Sequence, residues 1–150
     1  MREAFQVITR SFGVLNKTCC SVDGIEVSAV QSHILYEIDS KNSPSMQQVA
    51  DLLGIELTTF SRQIQTLVNM ELVEKIPSIE DKRVNNLKLT EKGEVVSKGI
   101  DRQVNAFLED IFDQMTDFER ETTQRAVNLI ADVMTNSPLC CGISKSDAKC

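Results

Sequence analysis

Two groups of residues in this 150-residue chain have types and spacings that could do chemistry. The first group is thiol. All five cysteines lie toward the ends, as Cys19-Cys20 and as Cys140, Cys141 and Cys150. Converging thiolates suit soft, thiophilic ions. Adjacent cysteines seldom bond to each other because the geometry is strained. The second group is polar and nearly uncharged: Thr58, Thr59, Ser61, Arg62, Gln63, Gln65 and Thr66. A solvated helix face usually carries several Lys or Glu, whereas this one has only Arg62. Hydroxyls, amides and a guanidinium are the groups that read base edges in DNA.

Other chemistries lack their residues. There is no C-x-x-C, and His33 is the only histidine, so no Cys/His/Asn set can form. With one histidine, a zinc site would need mostly cysteines. Six scattered glycines make no phosphate-cradling loop. The chain therefore reads as a non-enzyme.

The elements that must position these residues follow from periodicity. Phe5, Ile8, Phe12 and Leu15 predict an amphipathic first helix over about 1–20, closed by Asp23-Gly24 and ending at Cys19-Cys20. Ser28 with Gln31, and Ser45 with Gln48, are capping boxes opening two further helices, the second ended by Gly54. Phe60, Ile64, Leu67 and Val68 line one face of a helix over about 57–70, and the polar group lines the other. LVEKIPS and NNLKLT read as strands joined by the turn SIEDKRV. A long helix after Thr90 has Val96, Ile100, Val104, Phe107, Leu108, Ile111 and Met115 as its stripe. Thr116 and Glu119 cap a last helix bearing Val127, Ile130 and Met134.

Two short helices across a tight turn, then two strands around a basic tip, is the winged helix-turn-helix order. It places its second helix in the major groove. The fold class expected is mainly α with a small β-wing, the N- and C-terminal helices forming a dimerisation domain. Charge is consistent with this division. The net charge is −6, yet residues 55–92 hold six Lys/Arg against six Asp/Glu, while 93–136 hold four against nine. No apolar run is long enough to span a membrane. The N-terminus, broken by Glu3, Gln6, Arg10 and Asn16, lacks a signal-peptide core. A cytoplasmic protein without a membrane partner is expected, with its thiols reduced.

The stretch VADLLGIELTTFSRQIQTLVNMELVEKIPSIEDKRVNNLKLTEKG resembles the MarR family of transcription regulators, and the resemblance extends over about 1–136. It implies a single winged helix domain with a DNA-binding part at about 28–92 and dimerisation helices at about 1–20 and 93–136. Residues 137–150 are then a flexible, cysteine-bearing tail. It further implies a homodimer on double-stranded DNA at a palindromic operator, acting as a repressor that a small effector releases. On the matching positions, Thr58, Thr59, Arg62 and Gln63 contact bases and nearby phosphates, with Thr66 beside them. Arg83 matches the wing-tip arginine, Asp81 orients it, and Lys82 and Lys88 are phosphate candidates. The family usually has Gly before the Leu-Val that starts the wing, as a helix C-cap; here it is Glu71.

Relatives of this family respond to a pocket-bound ligand or to cysteine oxidation. The peroxide-sensing branch has its reactive cysteine where this chain has a residue near Ala4, so that mechanism does not carry over. Cys19, Cys20, Cys140, Cys141 and Cys150 remain as a thiol-sensing or metal-binding set, with trivalent arsenic the first-ranked ion. The alternative is a regulator of the same fold that answers to a small organic ligand, with structural cysteines. A thiol enzyme and a protein–protein adaptor rank below both.

Overall fold

The computed structural model describes residues 1–12, 19–41, 43–78 and 84–136. Its elements are α1 (Arg2–Ser11), β1 (Cys20–Val22), β2 (Ile25–Val27), α2 (Ala29–Ser40), α3 (Met46–Leu52), α4 (Leu57–Asn69), β3 (Val73–Pro77), β4 (Asn85–Leu89), α5 (Glu91–Phe112) and α6 (Asp117–Asn136). They fall into two compact units, Met1–Gln103 and Val104–Cys150. The mainly helical architecture with a small two-stranded wing is as expected. Among the described residues, no helix is long and apolar enough to cross a membrane.

One expected element is wrong. The first helix stops at Ser11, and Cys19-Cys20 does not end it. Cys20–Val22 and Ile25–Val27 instead form an antiparallel hairpin, with Val22 opposite Ile25. The turn explains why. Asp23 and Gly24 take φ of 50° and 78°, and positive φ at both central residues is what a two-residue hairpin turn demands. Cys20, Val22, Ile25 and Val27 then alternate onto one face. Leu15, placed on the helix from its spacing, lies outside the described residues.

The three capping boxes form. Ser28 and Ser45 accept from the backbone amides of Gln31 and Gln48, whose side chains reach back to the serine amides. Glu119 likewise accepts from the amide of Thr116 at 2.9 Å. That bond, followed by the one from the Thr116 hydroxyl, holds the Glu119 carboxyl below its ordinary pKa.

The core of the first unit is aliphatic around one ring. Ile34, Leu35 and Ile38 of α2, Val49 of α3, Phe60, Ile64 and Leu67 of α4, Leu87 of β4 and Val96 of α5 are all buried. β3 and β4 pair from Val73–Leu89 to Pro77–Asn85. Ser45 adds a bridge to Asn86, and the Leu87 amide donates to the Pro44 carbonyl at 2.8 Å, tying the start of α3 to the wing.

The end of α4 is built without its usual glycine. Glu71 itself adopts the left-handed conformation, with φ of 61°. Its amide donates to the Val68 carbonyl, and the Leu72 amide to that of Leu67, both at 2.9 Å. This is the Schellman pattern, made here at the steric cost of a Cβ. Thr90 locks the same joint. Its hydroxyl donates to the Glu71 carbonyl at 2.6 Å and accepts from the Gly93 amide at 2.9 Å. Lys92 donates to the Met70 carbonyl at 2.9 Å.

Gly93 is required by space. A Cβ there would stand 1.9 Å from the Leu72 carbonyl oxygen. Gly93→Ala should therefore cost ~1–3 kcal/mol, the price of overpacking against backbone. Glu71→Gly should instead stabilise by up to ~1 kcal/mol, relief of the left-handed cost less glycine's entropy. Urea unfolding of the two variants checks both signs.

Candidate nucleic-acid interface

The candidate reading head starts with α3, seven residues long and ended at Leu53. Gly54 supplies the turn with φ of 64°, its amide donating to Asp51 and that of Ile55 to Ala50. α4 follows after only two more residues. Phe60, Ile64 and Leu67 anchor one side of α4 in the core. The opposite side is thereby turned outward: Thr58, Thr59, Arg62, Gln65 and Thr66 are exposed, and Gln63 is half-buried. Glu56 is the N-cap of α4 but makes no side-chain cap bond, so the first-turn amides carry no side-chain partner.

These side chains are not equally available. The Thr66 hydroxyl is engaged by the Arg62 carbonyl at 3.1 Å. Gln65 bonds Asn69 at 3.0 Å and receives Lys75 at 3.4 Å. The Arg62 guanidinium has no hydrogen bond or ion pair among the described residues. Thr58, Thr59 and Arg62 are thus the open groups of the face.

The wing stands beside this helix. Lys88 is exposed on β4, opposite Glu74. The Ser78 amide donates to the Val84 carbonyl at 2.8 Å and closes the strand pair toward its tip. Asp81, Lys82 and Arg83 lie outside the described residues. Lys75 escaped the sequence reading. It is exposed on β3 and reaches α4 through Gln65. No alternation marks it, since every residue of VEKIP after Val73 is exposed.

An open cleft of about 340 Å³ lies between the end of α2, β4 and the first turn of α5. Its lining includes Asp39, Lys41, Lys88 and Glu94, charges of both signs over Leu87.

The thiols separate into two cases. Cys140, Cys141 and Cys150 lie outside the described residues. Cys19 and Cys20 are free, half-buried, and their sulfurs are 2.9 Å apart. Burial, then the hydrogen bond with Cys19 and the charge of Cys19, push the Cys20 thiol up to about 12. Among the described residues, no group of three or more His, Cys, Asp or Glu is placed to hold a metal ion.

A short helix, a tight turn, a second helix with an outward polar face and an antiparallel wing define a winged helix-turn-helix protein. The MarR family model matches residues 27–84, which run from the end of the hairpin to the start of β4. Over that segment the chain is similar to the MarR family. The HTH-type transcriptional regulator YybA of Bacillus subtilis is 25% identical over 120 residues, covering 77% of this chain and 80% of that one. FabT of Streptococcus pneumoniae, solved in complex with DNA, superposes with a TM-score of 0.77 at 19% identity, covering 90% of this chain and 94% of its own. The reduced form of MarR from E. coli gives 0.72 at 25% identity, covering 86% and 93%.

The raised Cys20 thiol sets a sign for alkaline stability. A folded pKa above the ordinary 9.0 means that stability is kept below 9.0 and is lost as pH rises toward about 12. Cys20→Ser should flatten that decline. Urea midpoints measured across the window check it, and an unchanged slope would show that Cys20 does not titrate as described.

Proposed function

We propose that the chain is a homodimeric repressor that binds a palindromic operator through α4 and the wing and is released by an effector acting on its cysteines. The observation that carries the DNA reading is the outward face of α4, polar, almost uncharged and centred on Arg62, which has no partner among the described residues. Such a face suits base edges better than water. The uncapped first-turn amides of α4 add donors for a phosphate. FabT, of similar fold, was solved with DNA bound, which supports the same partner here.

On this reading Thr58, Thr59, Arg62 and Gln63 meet bases and nearby phosphates, while Lys88 and Lys82 meet backbone phosphates. Arg83 is the wing-tip arginine that the family resemblance implies, and Asp81 is the residue to orient it. The dimer reading rests on apolar surface. α1 and α6 bury no residue. Phe5 and Ile8 on α1, and Phe118, Val127, Leu129 and Ile130 on α6, are all exposed. On each helix, exposed apolar residues with none buried offer surface to a partner. Two copies would set half-sites about one helical turn apart, ~10 bp.

Fluorescence anisotropy on the promoter of its own gene tests the DNA reading. Arg62→Ala should cost ~1–3 kcal/mol and relax sequence preference, whereas Lys88→Ala should weaken all sequences alike and lower the salt slope by about one. Equal affinity for operator and scrambled DNA at moderate salt would end the repressor reading. Sedimentation of Ile130→Glu should report monomer where the parent chain reports dimer.

A further inference from the structure

The Cys19-Cys20 pair has a geometry that simple burial of two small apolar residues does not explain. In a regular strand, neighbouring side chains point to opposite faces. Cys20 is the first residue of β1, paired with Val27. Cys19 stands just before the strand, at a bend, with its amide still held by the Val27 carbonyl at 2.9 Å. Leaving the strand at this point frees Cys19 from alternation. The two sulfurs converge to 2.9 Å, a hydrogen-bonded contact in which either thiol could donate.

The surroundings hold the pair in place. Val22, two residues on and on the same face as Cys20, is buried against α5, its Cγ1 2.6 Å from where a Cβ on Gly99 would stand. Gln103 donates to the Ser21 carbonyl at 2.7 Å. The hairpin is thus clamped to α5 on either side of the strand, while both thiols stay half-exposed.

We propose that Cys19 and Cys20 form a two-sulfur chelate for a monosubstituted trivalent arsenical, an arsenic atom already bearing one carbon group. Two sulfurs this close are spanned by one inserted soft atom with little backbone movement. The pair itself offers two donors. Among the described residues no third sulfur, histidine or carboxylate joins the pair. Inorganic trivalent arsenic wants three thiolates, whereas a monosubstituted arsenical wants two. The step balances without electron transfer. The hydrated arsenical, with one As–C and two As–OH bonds, exchanges both As–O bonds for As–S bonds. Each thiol proton leaves with a hydroxide as water, and no atom changes oxidation state.

Oxidation to a disulfide is the lesser fate of the same pair. A bond between adjacent cysteines strains the local geometry. The inference deepens the thiol-effector reading given above. It is tested on the free protein, so its failure leaves the operator measurements untouched.

The probe is phenylarsine oxide, added to the full chain and followed by intact-mass spectrometry through a wash with excess monothiol. The variant carrying Cys140→Ser, Cys141→Ser and Cys150→Ser should keep one adduct per chain through the wash. It should release the adduct to 2,3-dimercaptopropanol. Cys19→Ser and Cys20→Ser should each lose retention by ~10²-fold or more, since the second As–S bond is the intramolecular one. Circular dichroism confirms that both single variants are folded. Retention unchanged in either single variant, or lost in the triple variant, would overturn the assignment. Arsenite held as firmly as phenylarsine oxide would also overturn it, because that requires a third thiolate.

Discussion

The close approach of the α5 N-terminus to the Leu72 backbone is the contact on which the rest of the first unit depends. Position 93 has no room for a side chain because the Leu72 carbonyl oxygen fills it. Three elements meet there: the end of α4, the start of β3 and the start of α5. Thr90 ties all three through one hydroxyl and its own amide, which donates to the Leu72 carbonyl at 3.1 Å. The angle between α4 and the wing is thus set by backbone contact and short hydrogen bonds. Long side chains would leave that angle soft, and a surface that must match a groove needs it stiff.

Much of this was legible in sequence. The capping boxes at Ser28, Ser45 and Thr116 announce helix starts because each needs two specific side chains three residues apart. Phe60, Ile64 and Leu67 fall at helical spacing and are buried as that spacing demands. β3 and β4 appear within LVEKIPS and NNLKLT. Failure was local and physical. Phe5, Ile8 and Phe12 suggested a longer first helix because periodicity says nothing about where a stripe stops. Asp23-Gly24 was seen as a turn, but a turn closing a helix and a turn joining strands share these residues. Only the short alternation of Cys20, Val22, Ile25 and Val27 separates them.

The candidate site divides the same way. The outward placement of Thr58, Thr59 and Arg62 follows from which residues face the core, so sequence could state it. The engagement of Thr66 by the Arg62 carbonyl, and the reach of Lys75 to Gln65, depend on rotamers and on a strand packed beside the helix. Nor could a helix-based reading bring Cys19 and Cys20 sulfur to sulfur. Consecutive residues on a helix diverge by about a hundred degrees, and it is the bend before β1 that converges them.

The bare start of α4 has a consequence of its own. Glu56 occupies the cap position yet supplies no cap bond, so the first-turn amides of α4 have no side-chain acceptor. Serine or threonine in that place would have closed the turn. An anion docked on those amides would complete the helix instead. Fraying of that turn and occupancy by a phosphate then become one linked equilibrium, in which the ligand is also the missing piece of secondary structure.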